Sequence, residues 1–282
     1  MGGQNGCGQG HHAGTSVSAN LAFTKFLFVV ARAEDDAPGA RLRTAGGNIA
    51  RGFFNDFDID DSRENQAQPF ETIQFFVRDG DGDGVEPSAD CVGPCINKAK
   101  HLVQVSSKYR PRLQEIDEEL RRRIGDAAEV IAIDGAVRTP RYSSPEMIQY
   151  SNKGAPPRRS GRISRNAIIM PIRKTPEWWQ KSPLERHAYF YPHIDRASAC
   201  PVKGHAVAAE RGIASLYRRV YHNPDGHERP NEFDFMTYFE CKDDSVAVFD
   251  QVLLALRDFH QNPEWRYVQE GPIWRGKRVL RW

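Results

Sequence analysis

No apolar run in the 282-residue chain approaches the roughly 18 to 20 residues that cross a bilayer; the longest strong one, Phe26–Ala31, is strand-sized. A membrane partner is therefore not expected. Excess charge is also missing: 39 basic residues stand against 37 acidic ones, a net charge of +2, too little for the field by which a protein gathers nucleic acid. Cysteine is sparse and odd in number, five in all, with Cys7, Cys200 and Cys241 scattered. That pattern excludes a disulfide scaffold and points to reduced thiols. The first residues, rich in Gly, Gln, Asn, Cys and His, lack the basic stretch and apolar block of a secretory signal, so a soluble cytoplasmic protein is expected.

What is present is enough apolar content, 39%, to bury a sizeable core. Residues 1–19 hold almost none of it and read as a flexible tail. Phe23–Arg32, Glu71–Arg78 and Ala128–Asp134 are apolar segments bounded by Gly, Asp or Pro and predict strands. Leu113, Ile116, Leu120 and Ile124 share one face of a charged helix over Arg112–Ile124. Ser151–Arg165, rich in Lys, Arg, Gly and Pro, marks a boundary. Beyond it, Ala167–Ile172 predicts a strand, Ser182 with Pro183 a helix start, and Ala206–Leu216 a helix. Glu232–Cys241 predicts a long strand, Val246, Phe249, Leu253 and Leu256 a buried helical stripe, and Trp265–Val268 a closing strand. Strand, helix, strand, strand, helix, strand is the ferredoxin-like order. The expected fold is α+β, with two such repeats, residues 20–160 and 161–282, building a barrel-like antiparallel sheet with helices outside.

One segment concentrates unusual chemistry: Lys174, then Trp178-Trp179, then the helix start Ser182-Pro183-Leu184-Glu185-Arg186. Adjacent tryptophans serve most often as core or interface anchors. The functional reading is an aromatic wall beside a planar cofactor, with Lys174 offering a cation to a carboxylate on its rim. Downstream, Arg218 stands thirteen residues after His205 and is followed by Tyr221-His222.

These motifs resemble those of the chlorite dismutase family, over roughly Ile163 to Trp282; the strand around Phe233–Glu240 and the run Asn262–Trp274 are similar to the family's last strands. The resemblance implies haem b, with Lys174, Trp178 and Trp179 near its edge and propionates, His205 as the iron ligand and Arg218 above the open iron face. A neutral imidazole binds iron well, and a cation opposite it can hold an anion. Between Arg186 and the ligand this chain runs roughly a dozen residues longer than the family pattern. His193 keeps the expected distance from the tryptophans, whereas His205 keeps the distance to the arginine, so both stay open, with His205 favoured. By the same likeness Glu264 accepts the other ring N–H of that histidine; Glu240 is the reserve, and its plain reading is a strand-end carboxylate in water. Met170-Pro171-Ile172 stands where the related coproheme decarboxylases carry a redox-active tyrosine, which argues against that activity. The implied function is oxidation–reduction at haem, converting chlorite to chloride and dioxygen, with a small anionic substrate and assembly into a homo-oligomer. A peroxidase-like haem enzyme and a haem carrier without turnover are the alternatives.

Some features lie outside that pattern. Asp79–Asp90 partly matches a calcium loop, although Pro87 and an aspartate at the twelfth position fit it poorly; a solvated acidic loop is the plainer reading. Cys91 and Cys95 with His101 lack a second ligand pair at zinc spacing, and a turn is expected. His11 and His12 beside Cys7 are expected to be incidental.

Overall fold

The structure is a computed structural model that describes residues 23–32, 37–55, 71–80, 95–137 and 164–282. The expected tail, residues 81–94 of the acidic loop and the first cysteine pair, and residues 151–163 of the boundary lie outside the described residues.

The first half runs β1 (Phe23–Ala31), α1 (Ala37–Ile49), β2 (Phe54–Asn55), β3 (Thr72–Arg78), β4 (His101–Ser107), α2 (Arg110–Ile124) and β5 (Ala128–Ala136). The second runs β6 (Asn166–Lys174), α3 (Pro176–Gln180), α4 (Pro183–Ala188), β7 (His193–Ile194), β8 (Pro201–Val202), α5 (Gly204–Ile213), β9 (Tyr217–His222), β10 (Phe235–Cys241), α6 (Val246–Arg257), β11 (Val268–Glu270) and β12 (Trp274–Val279). Setting the short elements aside, each half follows the ferredoxin-like order. The strands form one sheet in the order β10-β9-β5-β1-β4-β3-β12-β6, and β6 pairs with β10 to close it. The fold is thus α+β, a closed antiparallel barrel with helices outside.

Closure explains the apolar content of strands that would otherwise alternate, because here both faces are covered. Along β1, Phe26 and Phe28 point into the barrel, while Leu27 and Val29 point out beneath α1 and α2. The barrel interior also takes Phe76, Tyr238 and Trp274, whose indole donates to Ala99 O at 2.9 Å. In the second half the outward residues Met170, Phe235 and Phe239 meet Phe249 and Leu253 of α6.

The helices carry recognisable local signals. Pro111 sits in the first turn of α2, and Gly125, at φ 57°, ends it. Ser182 and Glu185 form a reciprocal capping box at α4.

Two seams join the halves. Along one, β12 pairs with β3 over four register positions, Gly276↔Arg78 to Val279↔Phe75. Along the other, β5 meets β9 among the described residues at Ala136↔His222, buttressed by Arg110, which bonds Asp225 through two guanidinium nitrogens at 2.6 and 2.7 Å.

The final strand differs from expectation. Trp265–Val268 is largely a 3-10 turn (Pro263–Tyr267) started by Pro263, and the half closes on β12 instead. β12 alternates buried Trp274, Gly276 and Arg278 with half-buried Arg275, Lys277 and Val279.

Candidate active site

The outward face of β6, β9 and β10 does not pack fully against α5 and α6. The gap is a cavity of about 240 Å³ walled by Met170, Ile172 and Lys174 of β6, Arg218, Val220 and His222 of β9, and Phe235, Thr237 and Phe239 of β10. Each trio is an alternate-residue set, so the two-residue period of a strand brings all nine to one surface. His205 and Ala209 of α5, Val252 and Leu256 of α6, and Glu264 and Trp265 of the following turn close it from outside. No group of three or more His, Cys, Asp or Glu able to hold a metal ion occurs among the described residues.

His205 is held by its backbone. Its N–H and that of Ala206 donate to Tyr189 O (3.1 Å) and Phe190 O (2.9 Å), while Lys203 and Gly204 N–H both donate to Gln261 O. Gly204 begins the helix at φ +73°, with the Tyr191 carbonyl occupying the space where a Cβ would project. The imidazole lies nearly parallel to the Phe190 ring, with centroids 5.7 Å apart.

The extra residues before His205 form an excursion. β7 and β8 pair as a small hairpin whose turn is gathered by Asp195 through Ser198 and Arg266, and the chain returns to Gly204 against Tyr191. This accounts for the two competing spacings. His193 sits on the excursion, its Nδ1 2.8 Å from Tyr191 O, and it does not line the cavity; His205, at the return, does.

Behind His205 lies a charged cluster. Glu264 Oε2 is 2.9 Å from His205 Nδ1 and Oε1 is 2.6 Å from Lys174 Nζ. The first contact has ion-pair distance, but the ring N–H is not aligned along it as a hydrogen bond requires. Burial pushes the Glu264 carboxyl up, but Lys174 and His205 together outweigh it and hold the group well below the usual carboxylate range. Lys174 Nζ also lies 4.3 Å from the Trp178 ring centroid. Trp178 is 1% exposed, and its Nε1 is buried without a hydrogen-bond partner.

Arg218 occupies the β9 wall, opposite Phe239 in register. Trp179 stands apart from the lining: His227 stacks on it at 4.2 Å and 15°, and its Nε1 donates to Asp234 Oδ2 at 3.3 Å. The structure therefore brings Lys174, Trp178, His205, Arg218 and Glu264 to one cavity, with Trp179 beside it. Glu240 projects the other way, into the barrel. There it is fully buried, pairs with Arg278 and accepts from Tyr238 Oη at 2.6 Å; it is neither a partner of His205 nor a carboxylate in water.

Sequence reasoning passed over Asp234. Its buried carboxylate accepts from Lys174 N (2.7 Å), Trp179 Nε1 and Glu228 N (2.8 Å), tying three segments at the cavity's edge. The strand predicted over Glu232–Cys241 spans it, but the sequence carried no sign of this role.

No protein-family model matches the sequence. Solved structures with the same fold include a chlorite dismutase from Candidatus Nitrospira defluvii in complex with imidazole (TM-score 0.61, 18% identity, 93% of this chain and 92% of that one). A mutant of that protein in complex with cyanide has a TM-score of 0.60 at 17% identity, covering 92% and 90% of the two chains. A further chlorite dismutase candidate matches at TM-score 0.56 and 14% identity, over 92% and 95%. The chain shares the fold of chlorite dismutases.

Proposed function

We propose that the chain is a haem-dependent oxidoreductase of chlorite dismutase type, converting chlorite to chloride and dioxygen at a histidine-ligated haem b. The observation that carries this reading is the His205–Glu264–Lys174 cluster on one wall of a cavity whose strand wall carries Arg218.

The donor set fits the cofactor. His205 approaches Glu264 through Nδ1, which leaves Nε2 as the ligating atom. The alternate apolar residues of β6 and β10, facing α5 and α6, suit a flat hydrophobic ring, and the orphaned Trp178 Nε1 suits an acceptor on its rim. Haem iron, when bound, supplies the redox centre at which the Cl–O bonds break and the O–O bond forms.

The protein's own contributions follow from the geometry. Glu264, kept ionised 2.9 Å from His205 Nδ1, favours through its charge a proton on that nitrogen and makes the imidazole a stronger donor. Lys174 balances that charge, so the carboxylate does not need to take up a proton. Arg218 brings a permanent cation to the strand wall of a cavity whose lining also holds Arg186 and Lys174, and there an oxyanion is held more strongly than in water. The apolar walls limit competing water.

Haem titration followed by visible absorption, then chlorite addition with oxygen recording, tests the reading. Stoichiometric haem and oxygen release are expected. His205→Ala should abolish stable haem binding, whereas Arg218→Ala should keep haem and lower turnover by about 100-fold, the scale of losing one preorganised charge-stabilising group. Haem binding without oxygen release would refute the dismutase assignment in favour of a peroxidase-like enzyme or a carrier, and retention of a normal haem spectrum by His205→Ala would refute the ligand.

A further inference from the structure

The connection from β9 to β10 is held in an unusual shape. Glu228 and Asn231 have φ of 61° and 60°, and Gly226 has φ 111°; the left-handed region is costly for a residue such as glutamate. Its conformation is fixed from several sides. Asp234 accepts from Glu228 N at 2.8 Å, Asn223 bonds Glu232 (2.7 Å) and Phe233 O (3.1 Å), and Arg110 reaches from the other half to Asp225.

The effect is to place His227. Its ring stacks on Trp179, and its Nε2 lies 3.5 Å from Nδ1 of His222, a distance that a small tilt of either ring shortens. His222 is 4% exposed and lines the cavity, whereas His227 is half-buried and reaches solvent. An imidazole takes a proton on one nitrogen and gives one from the other near neutral pH. We infer that His222 and His227 form a two-imidazole proton path from solvent into the cavity wall that also carries Arg218.

Such a path opens the site to a second class of substrate beside chlorite. Chlorite decomposition, ClO2− → Cl− + O2, takes up no proton. Reduction of a hydroperoxide, ROOH + 2 e− + 2 H+ → ROH + H2O, takes up two at the reacting oxygens, with one electron from each of two molecules of a phenol or aromatic amine, which release their own protons where they are oxidised. The pair suits the second reaction, and that step rests on the haem reading above. The charged groups around the pair are Arg218 on β9, Arg186 over the Trp179 ring, Asp234 with its three N–H donors, Asp225 with Arg110, Glu232 with Arg229, and the exposed Glu228.

His227→Phe keeps an aromatic ring on Trp179 and removes the outer proton carrier; His227→Gln removes it with a hydrogen-bonding side chain retained. Histidine ring titrations of the full chain, followed by NMR without haem, should show the His222 titration displaced in both variants. In haem-loaded protein, hydroperoxide-driven oxidation of a phenol should fall about 100-fold, the lower range for loss of a general acid–base group. Chlorite-driven oxygen release should stay within about twofold of the parent. The proposal is overturned if the His222 titration does not respond, if the hydroperoxide rate is unchanged, or if both substrates lose rate equally, which would make His227 a prop for Trp179. A chain that takes up no haem would sink the haem reading, and the titration would still decide the path.

Discussion

Glu264→Gln tests the cavity's charged cluster directly. The amide keeps the shape and removes the charge, leaving Lys174, its side chain 6% exposed, without the counter-ion now 2.6 Å away. Breaking a buried pair from one side costs about 3–5 kcal/mol. With a urea dependence of about 3 kcal/mol per molar, the upper range for small proteins, the unfolding midpoint should fall by roughly 1–1.7 M near neutral pH. The sign with pH follows from the depressed Glu264 carboxyl. A group held lower in the folded state stabilises fully above its unfolded value, about 4.3, and loses that contribution as pH falls through the folded one. Parent and variant should therefore converge in acid. Urea melts of the haem-free chain at several pH values measure this, and Lys174→Met in the Glu264→Gln background should recover most of the loss by removing the stranded cation. A difference below about 0.5 kcal/mol near neutral pH, within the range of ordinary surface substitutions, or a gap that did not narrow in acid, would refute the argument.

Two further outcomes follow from the geometry around the cavity. Gly204→Ala should destabilise by at least about 2 kcal/mol, since φ +73° and the Tyr191 carbonyl both oppose a Cβ; thermal unfolding would show it, and displacement of His205 should reduce haem uptake in parallel. Asp234→Asn presents an amide donor to N–H groups that now share a carboxylate, costing about 1–3 kcal/mol for a buried donor left unsatisfied, with a change in Trp179 fluorescence as the local readout.

Much of the second half was legible because its signals are local. The β6 run, the α6 stripe and the Ser182 cap each declare themselves within a few residues, and the Lys174–Trp179 segment carries its resemblance in sequence. β9 and β12 were not so readable: Arg218, Arg219, Arg275, Lys277 and Arg278 break the apolar pattern that marks a strand. Arg278 is buried only because Glu240 meets it inside a closed barrel, and closure is a property of the whole sheet. The proximity of Glu264 to His205 came from resemblance; nothing in a separation of 59 residues encodes it. The two histidine spacings were undecidable from sequence because a hairpin whose ends meet leaves the spatial path unchanged while lengthening the chain.

The unequal seams have a dynamic consequence. Backbone hydrogen bonds protect amides only while a junction stays shut, and segments with few cross-links open at the lowest free energy. Among the described residues β5–β9 has one register pair against four at β12–β3, and the junction beside His222 is expected to open first. Amide exchange should be fastest there among the barrel junctions, so the wall that faces the cavity is also where the cylinder gives way.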